Sequence, residues 1–384
     1  ALASDGDFAR QLGLLLEKTR ADARPAEKAY TDFLAALEKE DLAEDKRKDK
    51  ADVERQKLEP NRNLVSYLTA SLGDFMVPVG APELKELAAA GPDGLDAKAR
   101  ALRRRQAVWA LANLGENLKR FDKLPAPQKD AALERMRVAL WDAAGGAVGR
   151  DDFLKLPPDE KDAALDKLDV RPGGDHADWL RDALRVLRKR VKGEDDDMGV
   201  GDALIACGRD RDDPYLRELS AFAMNFWRGD DAANARMRDA LAALVQDDGA
   251  GEDRLADLSA DRDGSPTVAV AKIPGLQIRF NAAVALARFG SRDARLDVLK
   301  DMLDENYLRS NLVLRPRDGG GPEQPNQEVI GQTLTNALKA VAELHRLRPE
   351  ADLSSLKPSV DALAGSASPD VRTEAEKTRL ALGK

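Results

Sequence analysis

An Arg followed by Ala at the third residue, Leu at the seventh and Gly at the eleventh occurs twice in full in this chain. The copies are Arg104, Ala107, Leu111, Gly115 and Arg279, Ala282, Leu286, Gly290. Near the C-terminal end Arg372, Ala375 and Gly383 keep the spacing, with the apolar residue slipped from Arg379 to Leu380. A looser copy runs from Arg217 through Ala221 and Met224 to Gly229. Positions three, four and seven residues apart share one helix face, and a Gly at the far end suits the left-handed conformation that closes a helix. Writing one helix several times marks a repeat array, whose units bury their apolar faces against neighbours. The feature constrains architecture far more than chemistry.

A chain of 384 residues exceeds one ordinary core, and the repeats favour an elongated array. Apolar residues make up 43% of it but aromatics only 4%, which predicts an interior of Ala, Leu and Val in closely packed helices. Charged residues are 34% and mixed in sign, as on solvated helical surface. The net charge of −8 counts against nucleic acid as the main ligand, because phosphate binding rests on Lys and Arg. The single cysteine, Cys207, rules out an internal disulfide framework and a Cys-rich zinc site. No apolar run is long enough to span a bilayer. The opening Ala1-Leu2-Ala3-Ser4 resembles the small-residue end of a signal peptide, which points to export or membrane tethering through a preceding segment; a cytoplasmic chain with an arbitrary start is the alternative.

Along the chain, residues 7–42 predict a helical hairpin whose second helix begins near Pro25, and 38–59 an almost wholly charged helix or connection. Leu64, Leu68 and Leu72 resume a buried face, and Gly91-Pro92-Asp93-Gly94 marks a turn. These features set a charged helical extension over 1–60, a helical connector over 61–96 and the repeats over 97–384. Within the repeats, helix pairs are expected at 102–140 (split by Pro125 and Pro127), 158–187, 215–245, 276–303 and 326–363, with a closing half unit at 369–382. Arg171-Pro172-Gly173-Gly174 turns the second pair, and Glu194-Asp195-Asp196-Asp197 reads as a solvated loop. Residues 267–273 and 312–315 are β-branched or alternating and predict a two-stranded ribbon. The run Gly319 to Gly321 lacks the strand and the Lys-Ser or Lys-Thr of a phosphate loop and reads as a flexible insertion.

The stretch from Leu276 to Gly290, LQIRFNAAVALARFG, and the closing Ser368-Pro369-Asp370-Val371-Arg372 resemble HEAT repeats. The resemblance implies an all-α fold, an α-solenoid of stacked helical hairpins over roughly 97–384. It also implies a scaffold that grips other proteins along a concave face, with each repeat Arg, as at Arg103 to Arg105, commonly paired to a neighbouring unit's Asp. The degenerate second pair and the long loops after Gly249 and Asp318 depart from the family pattern.

Catalytic chemistry finds little support. His176 and His345 lie far apart in sequence, and neither has a second His one turn away. Cys207 has an apolar flank and no base nearby in sequence, as a buried small residue would. Pairs such as Asp247-Asp248 arise by abundance among 69 acidic residues, and none has the spacing of a calcium loop. Trp109, Trp141, Trp179 and Trp227 fall in helical segments and read as packing residues. No catalytic, cofactor-binding or metal-binding residue is assigned.

Arg181, Arg185, Arg188 and Lys192 recur at i, i+4, i+7 and i+11 and form a basic stripe on one helix face, the candidate site for an acidic partner or a phosphate backbone. Asp178, Asp182 and the 194–197 loop are placed to neutralise it. The expected function is a non-catalytic protein–protein interaction scaffold whose partner is another protein, with self-association through the N-terminal extension. The alternatives are a HEAT-like nucleic-acid binder, an envelope or assembly component that self-associates, and an enzyme resembling the HEAT-like lyases or glycosylases. A circular dichroism spectrum dominated by helix is expected; a strand-dominated one removes every one of these readings.

Overall fold

The computed structural model describes residues 4–89, 94–146, 149–170, 176–246, 253–254, 267–317 and 320–383. The Ala1-Leu2-Ala3 opening, most of the Gly91 turn, the Arg171 turn, Asp247-Asp248 and Gly319 lie outside the described residues. Of the described residues 72% are helical, in seventeen α-helices with a small antiparallel sheet, which fits the all-α class that the composition predicts. No described helix is long and apolar enough to cross a membrane. The chain divides into two compact units, Ala1–Ala203 with Phe226–Asp230, and Leu204–Asn225 with Asp231–Lys384.

The first unit holds α1 (Gly6–Leu37), α2 (Glu44–Gly73), a 3-10 turn at Pro78–Gly80, α3 (Ala81–Ala88), α4 (Ala97–Asp122), α5 (Ala126–Ala144), α6 (Arg150–Lys155), α7 (Pro158–Leu165) and α8 (Ala177–Val191). The hairpin expected within residues 7–42 is instead one 32-residue helix with Pro25 inside it, and the hairpin is formed by α1 with α2. Residue 60, where charge pattern set a domain boundary, is likewise a proline inside α2. An interior proline forfeits a backbone hydrogen bond and costs about 3 kcal/mol. At Pro25 the helix continues nonetheless, and Ala23 and Glu27 on either side of it are buried.

Burial along α1 follows Gly13, Leu16, Arg20, Ala23, Glu27 and Tyr30, alternating three and four residues in the manner of a coiled-coil seam. Two members of this seam are charged. Arg20 donates to Glu83 Oε1 at 2.5 Å and to Glu86 Oε1 at 3.0 Å, and the Arg20 and Glu83 side chains are 1% and 2% exposed. Glu27 accepts both arms of Arg62, at 2.9 and 2.6 Å, and Arg62 reaches Asp96 at 2.8 Å. Burial pushes the Glu83 carboxyl above the ordinary carboxylate range; Arg20 acts in the opposite sense, and Glu86 and Glu17 add to the rise. The pairs dictate which helices pack on α1, since a buried charge needs its counter-charge opposite.

The first full copy of the repeated motif lies in α4, where Ala107 and Leu111 are fully buried. Its Gly115 does not close the helix, which runs on to Asp122. It makes room instead: a Cβ there would lie 2.7 Å from Trp227 Nε1, and that indole N–H donates to Leu111 O at 2.8 Å. Arg104 donates to Ala88 O, the last residue of α3, at 2.9 Å.

After α9 (Val200–Gly208), the second unit holds α10 (Pro214–Ala223), α11 (Asp231–Leu244), β1 (Asp253–Arg254), β2 (Thr267–Ala271), α12 (Leu276–Arg288), α13 (Leu296–Met302), α14 (Glu305–Asn311), β3 (Leu312–Pro316), β4 (Gln324–Pro325), α15 (Gln327–Leu347), α16 (Lys357–Leu363) and α17 (Pro369–Leu382). Helix α10 packs on α12, α12 on α15 and α15 on α17, while α11, α13 and α16 pack beside them as return helices. In the second motif copy Ala282 and Leu286 are fully buried and Gly290, at φ 61°, closes α12 as its position predicts. In α17 the buried residues are Val371, Ala375, Thr378 and Leu382, so the slipped Leu380 is 66% exposed. The expected ribbon is present: β2 and β3 pair antiparallel with Ala269 opposite Leu314, and β1 and β4 extend them to the order β1-β2-β3-β4.

Urea unfolding at pH 7 tests the charged seam. Arg20→Ala, which strands Glu83, is expected to lower the unfolding free energy by about 3–5 kcal/mol, and Arg20→Met with Glu83→Met to lose far less. Equal losses would contradict a seam held by mutual neutralisation. Gly115→Ala is expected to cost about 1–3 kcal/mol through its clash with Trp227.

Candidate functional site

The basic stripe lies on α8, whose opposite face buries Trp179, Leu180, Ala183, Leu184 and Leu187. The helix is entered through His176 at φ 51° and left through Lys192 and Gly193, the latter at φ 80°. Residues 181, 185, 188 and 192 share one face, as their spacing predicts, but two of the four, Arg185 and Arg188, are ion-paired inside the unit. Arg188 donates to Asp162 at 2.5 Å and to Asp166 at 3.1 Å, both on the last turns of α7 or just after it. Arg185 and Lys189 pair with Asp196, and Arg181 donates to Val170 O at 3.1 Å. Arg190, on the buried side, bonds Asp122 at the end of α4, at 2.5 Å. Lys192 is exposed and, among the described residues, has no ion-pair partner.

Two carboxylates anchor this lattice. Burial disfavours the charged form of Asp162, yet hydrogen bonding to Arg137 and the charge of Arg188 more than offset it and hold the carboxyl below its usual range. Asp162 accepts Arg137 through both oxygens, at 2.6 and 3.0 Å, so one aspartate of α7 ties α5 to α8. Asp196 behaves alike: burial works against its ionisation, but the Lys189 hydrogen bond, the Met198 N–H and the Arg185 charge hold it low. The 194–197 segment is only in part the solvated loop its composition predicts: Glu194 and Asp195 are exposed. Asp196 and Asp197 are buried, and Asp197 accepts from the Gly199 and Gly201 N–H groups at 3.0 and 2.9 Å, capping α9. On the far side of this loop Lys85 of α3 donates to Met198 O at 2.6 Å; burial lowers its pKa, against the pull of Asp197 and Asp182.

His176 meets Glu17 of α1 at 2.7 Å through Nε2 and stacks on Trp179 with ring centroids 4.0 Å apart. His345 sits on α15 in the other unit, and Cys207 is buried in α9. Trp141, Trp179 and Trp227 are buried as packing residues, whereas Trp109 is 40% exposed. Among the described residues no three His, Cys, Asp or Glu side chains gather into a metal-binding group. A groove of about 610 Å³ lies between the start of α1 and α5, with Leu14, Val138 and Ala139 among its apolar walls and Asp7, Arg10, Glu134, Arg135 and Asp142 at its edges. Its charges are also committed: Arg10 to Asp7 at 2.7 Å, Arg135 to Ser4 Oγ at 2.6 Å, Asp142 to Arg150 at 2.9 Å, and Glu134 to Lys161.

The arrangement on α8 fastens helices rather than offering a cationic field. The sequence signalled part of it, since the 194–197 loop expected to neutralise the stripe supplies Asp196; the i, i+4 pair Asp162 and Asp166 was missed, because it faces Arg188 only once α7 and α8 are folded together. No family model matches this chain, and neither does any curated protein.

The Asp162 contacts give a pH-dependent stability of defined sign. A carboxyl held low in the folded chain contributes stability that is complete above the ordinary value of about 3.9 and is lost as pH falls through the folded value. Asp162→Asn is expected to lower the unfolding free energy by about 2 kcal/mol at pH 7 and by less at an acid pH below the folded value. A deficit of the same size at both pH values, read from urea midpoints, would contradict this account.

Proposed function

We propose that this chain is a HEAT-like helical-repeat protein that acts without catalysis as a scaffold, presenting a solenoid surface to another protein. The observation that supports this best is the succession in the second unit, where α10, α12, α15 and α17 each pack on the next, with α11, α13 and α16 as return helices. Helices that meet their neighbours in chain order are what a quasi-one-dimensional stack requires. The full motif copy sits at the centre of that succession. Ala282, Ala285 and Leu286 are fully buried there, and the small side chains let α12 be flanked closely on several sides.

The nucleic-acid alternative draws its strength from the α8 stripe, and half of the stripe is neutralised: Arg185 and Arg188 are each bound to aspartates of the same unit. Charges held this way have fewer counterions to exchange against phosphates. An interaction scaffold needs no such field.

The test is affinity capture with this chain from a lysate of its native cells, with and without nuclease, read by quantitative mass spectrometry, beside an Arg185→Glu, Arg188→Glu variant. One protein partner retained by both forms after nuclease treatment is expected. Enrichment that disappears with nuclease, or with the two charge reversals, would replace the scaffold by the nucleic-acid reading.

A further inference from the structure

Helix α2 has an outward face that α1 and α4 leave uncovered. Its inward face buries Leu58, Val65, Leu68 and Leu72, and the Leu64 expected to join them turns away, 40% exposed, because steps of four residues drift off the seam. Val53 and Tyr67 are 58% and 69% exposed, the two largest exposures among the large apolar side chains of the first unit. With Pro60 midway, they form a row at intervals of seven residues, and the row continues to Lys46 before them and Asp74 after them. All five residues are exposed, and among the described residues neither Lys46 nor Asp74 has an ion-pair partner.

The row reads the same chemically from either end, apart from the sign of its terminal charges: Lys, apolar, Pro, apolar, Asp. We propose that it is the contact surface of a homodimer in which two copies pack α2 antiparallel about a two-fold axis at Pro60. In a two-fold contact the same patch is used twice, so a residue seven positions before the axis meets the residue seven positions after it. Val53 of each copy then meets Tyr67 of the other, and Lys46 meets Asp74. A parallel pairing would set Lys46 on Lys46 and Asp74 on Asp74, like charge on like. A foreign partner requires an apolar row, but not charges of opposite sign placed symmetrically about its centre; a second copy makes use of both. The compact ring of Pro60 on the axis lets the helices approach closely where they cross.

The contact is a small one. Thirty residues of helix are about 45 Å long and about 10 Å wide, so each copy loses roughly 450 Å² of surface. That places the dimer in the weak, transient class, populated at high concentration.

The experiment combines sedimentation equilibrium of the whole chain with disulfide trapping. Helix axes 8–10 Å apart bring facing Cα atoms on the axis within about 6 Å, inside the reach of a disulfide. Pro60→Cys under mild oxidation is therefore expected to give a covalent dimer, and Lys48→Cys, exposed on another face of α2, is not; the native Cys207 is buried and stays out of the reaction. Tyr67→Glu is expected to weaken association about tenfold or more. Lys46→Asp should also weaken it, and Lys46→Asp with Asp74→Lys should restore it. A chain that stays monomeric at its solubility limit with no Pro60→Cys product overturns the proposal and leaves the row to a foreign partner. Equal trapping through positions 48 and 60, or a dimer that withstands Tyr67→Glu, overturns it as well.

Discussion

Two charges buried in a helix seam decide how the first unit is assembled. Arg20 and Glu27 occupy positions of α1 where a coiled coil would place aliphatic side chains, and each is matched by a partner brought by another helix, Glu83 from α3 and Arg62 from α2. Desolvating a charge costs several kcal/mol unless the counter-charge lies opposite, so a one-residue slip of either helix would strand both. Apolar seams tolerate sliding; this one does not. The helix α1 is continuous through Pro25, with Arg20 and Glu27, the two paired charges, on either side of the proline.

The logic repeats on α8 at lower stakes. A stripe of four basic residues looks like a binding face when α8 is considered alone. In the folded unit it becomes a set of fasteners to α7 and to the 194–197 loop, with Asp162 joining α5 to α8 and Asp196 closing the loop beneath Arg185 and Lys189.

The second unit is built on a different economy. Its central α12 is nearly all small and apolar, and the helices before and after it in the layer pack on it in turn. The motif serves more than one purpose at its individual positions. Gly290 closes its helix in the left-handed conformation, while Gly115, at the same place in the pattern, stays helical and admits the Trp227 indole. Spacing records that a glycine is required without recording why.

The sequence by itself determined many of the elements: helices from apolar spacing, a ribbon from the β-branched alternation at 267–273 and 312–315, and a closing glycine at 290. Those properties are local, because backbone conformation and periodicity are set within a few residues. Tertiary structure alone decided that Pro25 and Pro60 would lie inside helices, that Leu64 would face out, that Asp196 and Asp197 would be buried, and that Asp162 would tie Arg137 to Arg188. Each of these depends on which distant segment comes to lie opposite. A charge is free or paired, and an apolar residue is core or surface, only relative to a neighbour that the local sequence does not name.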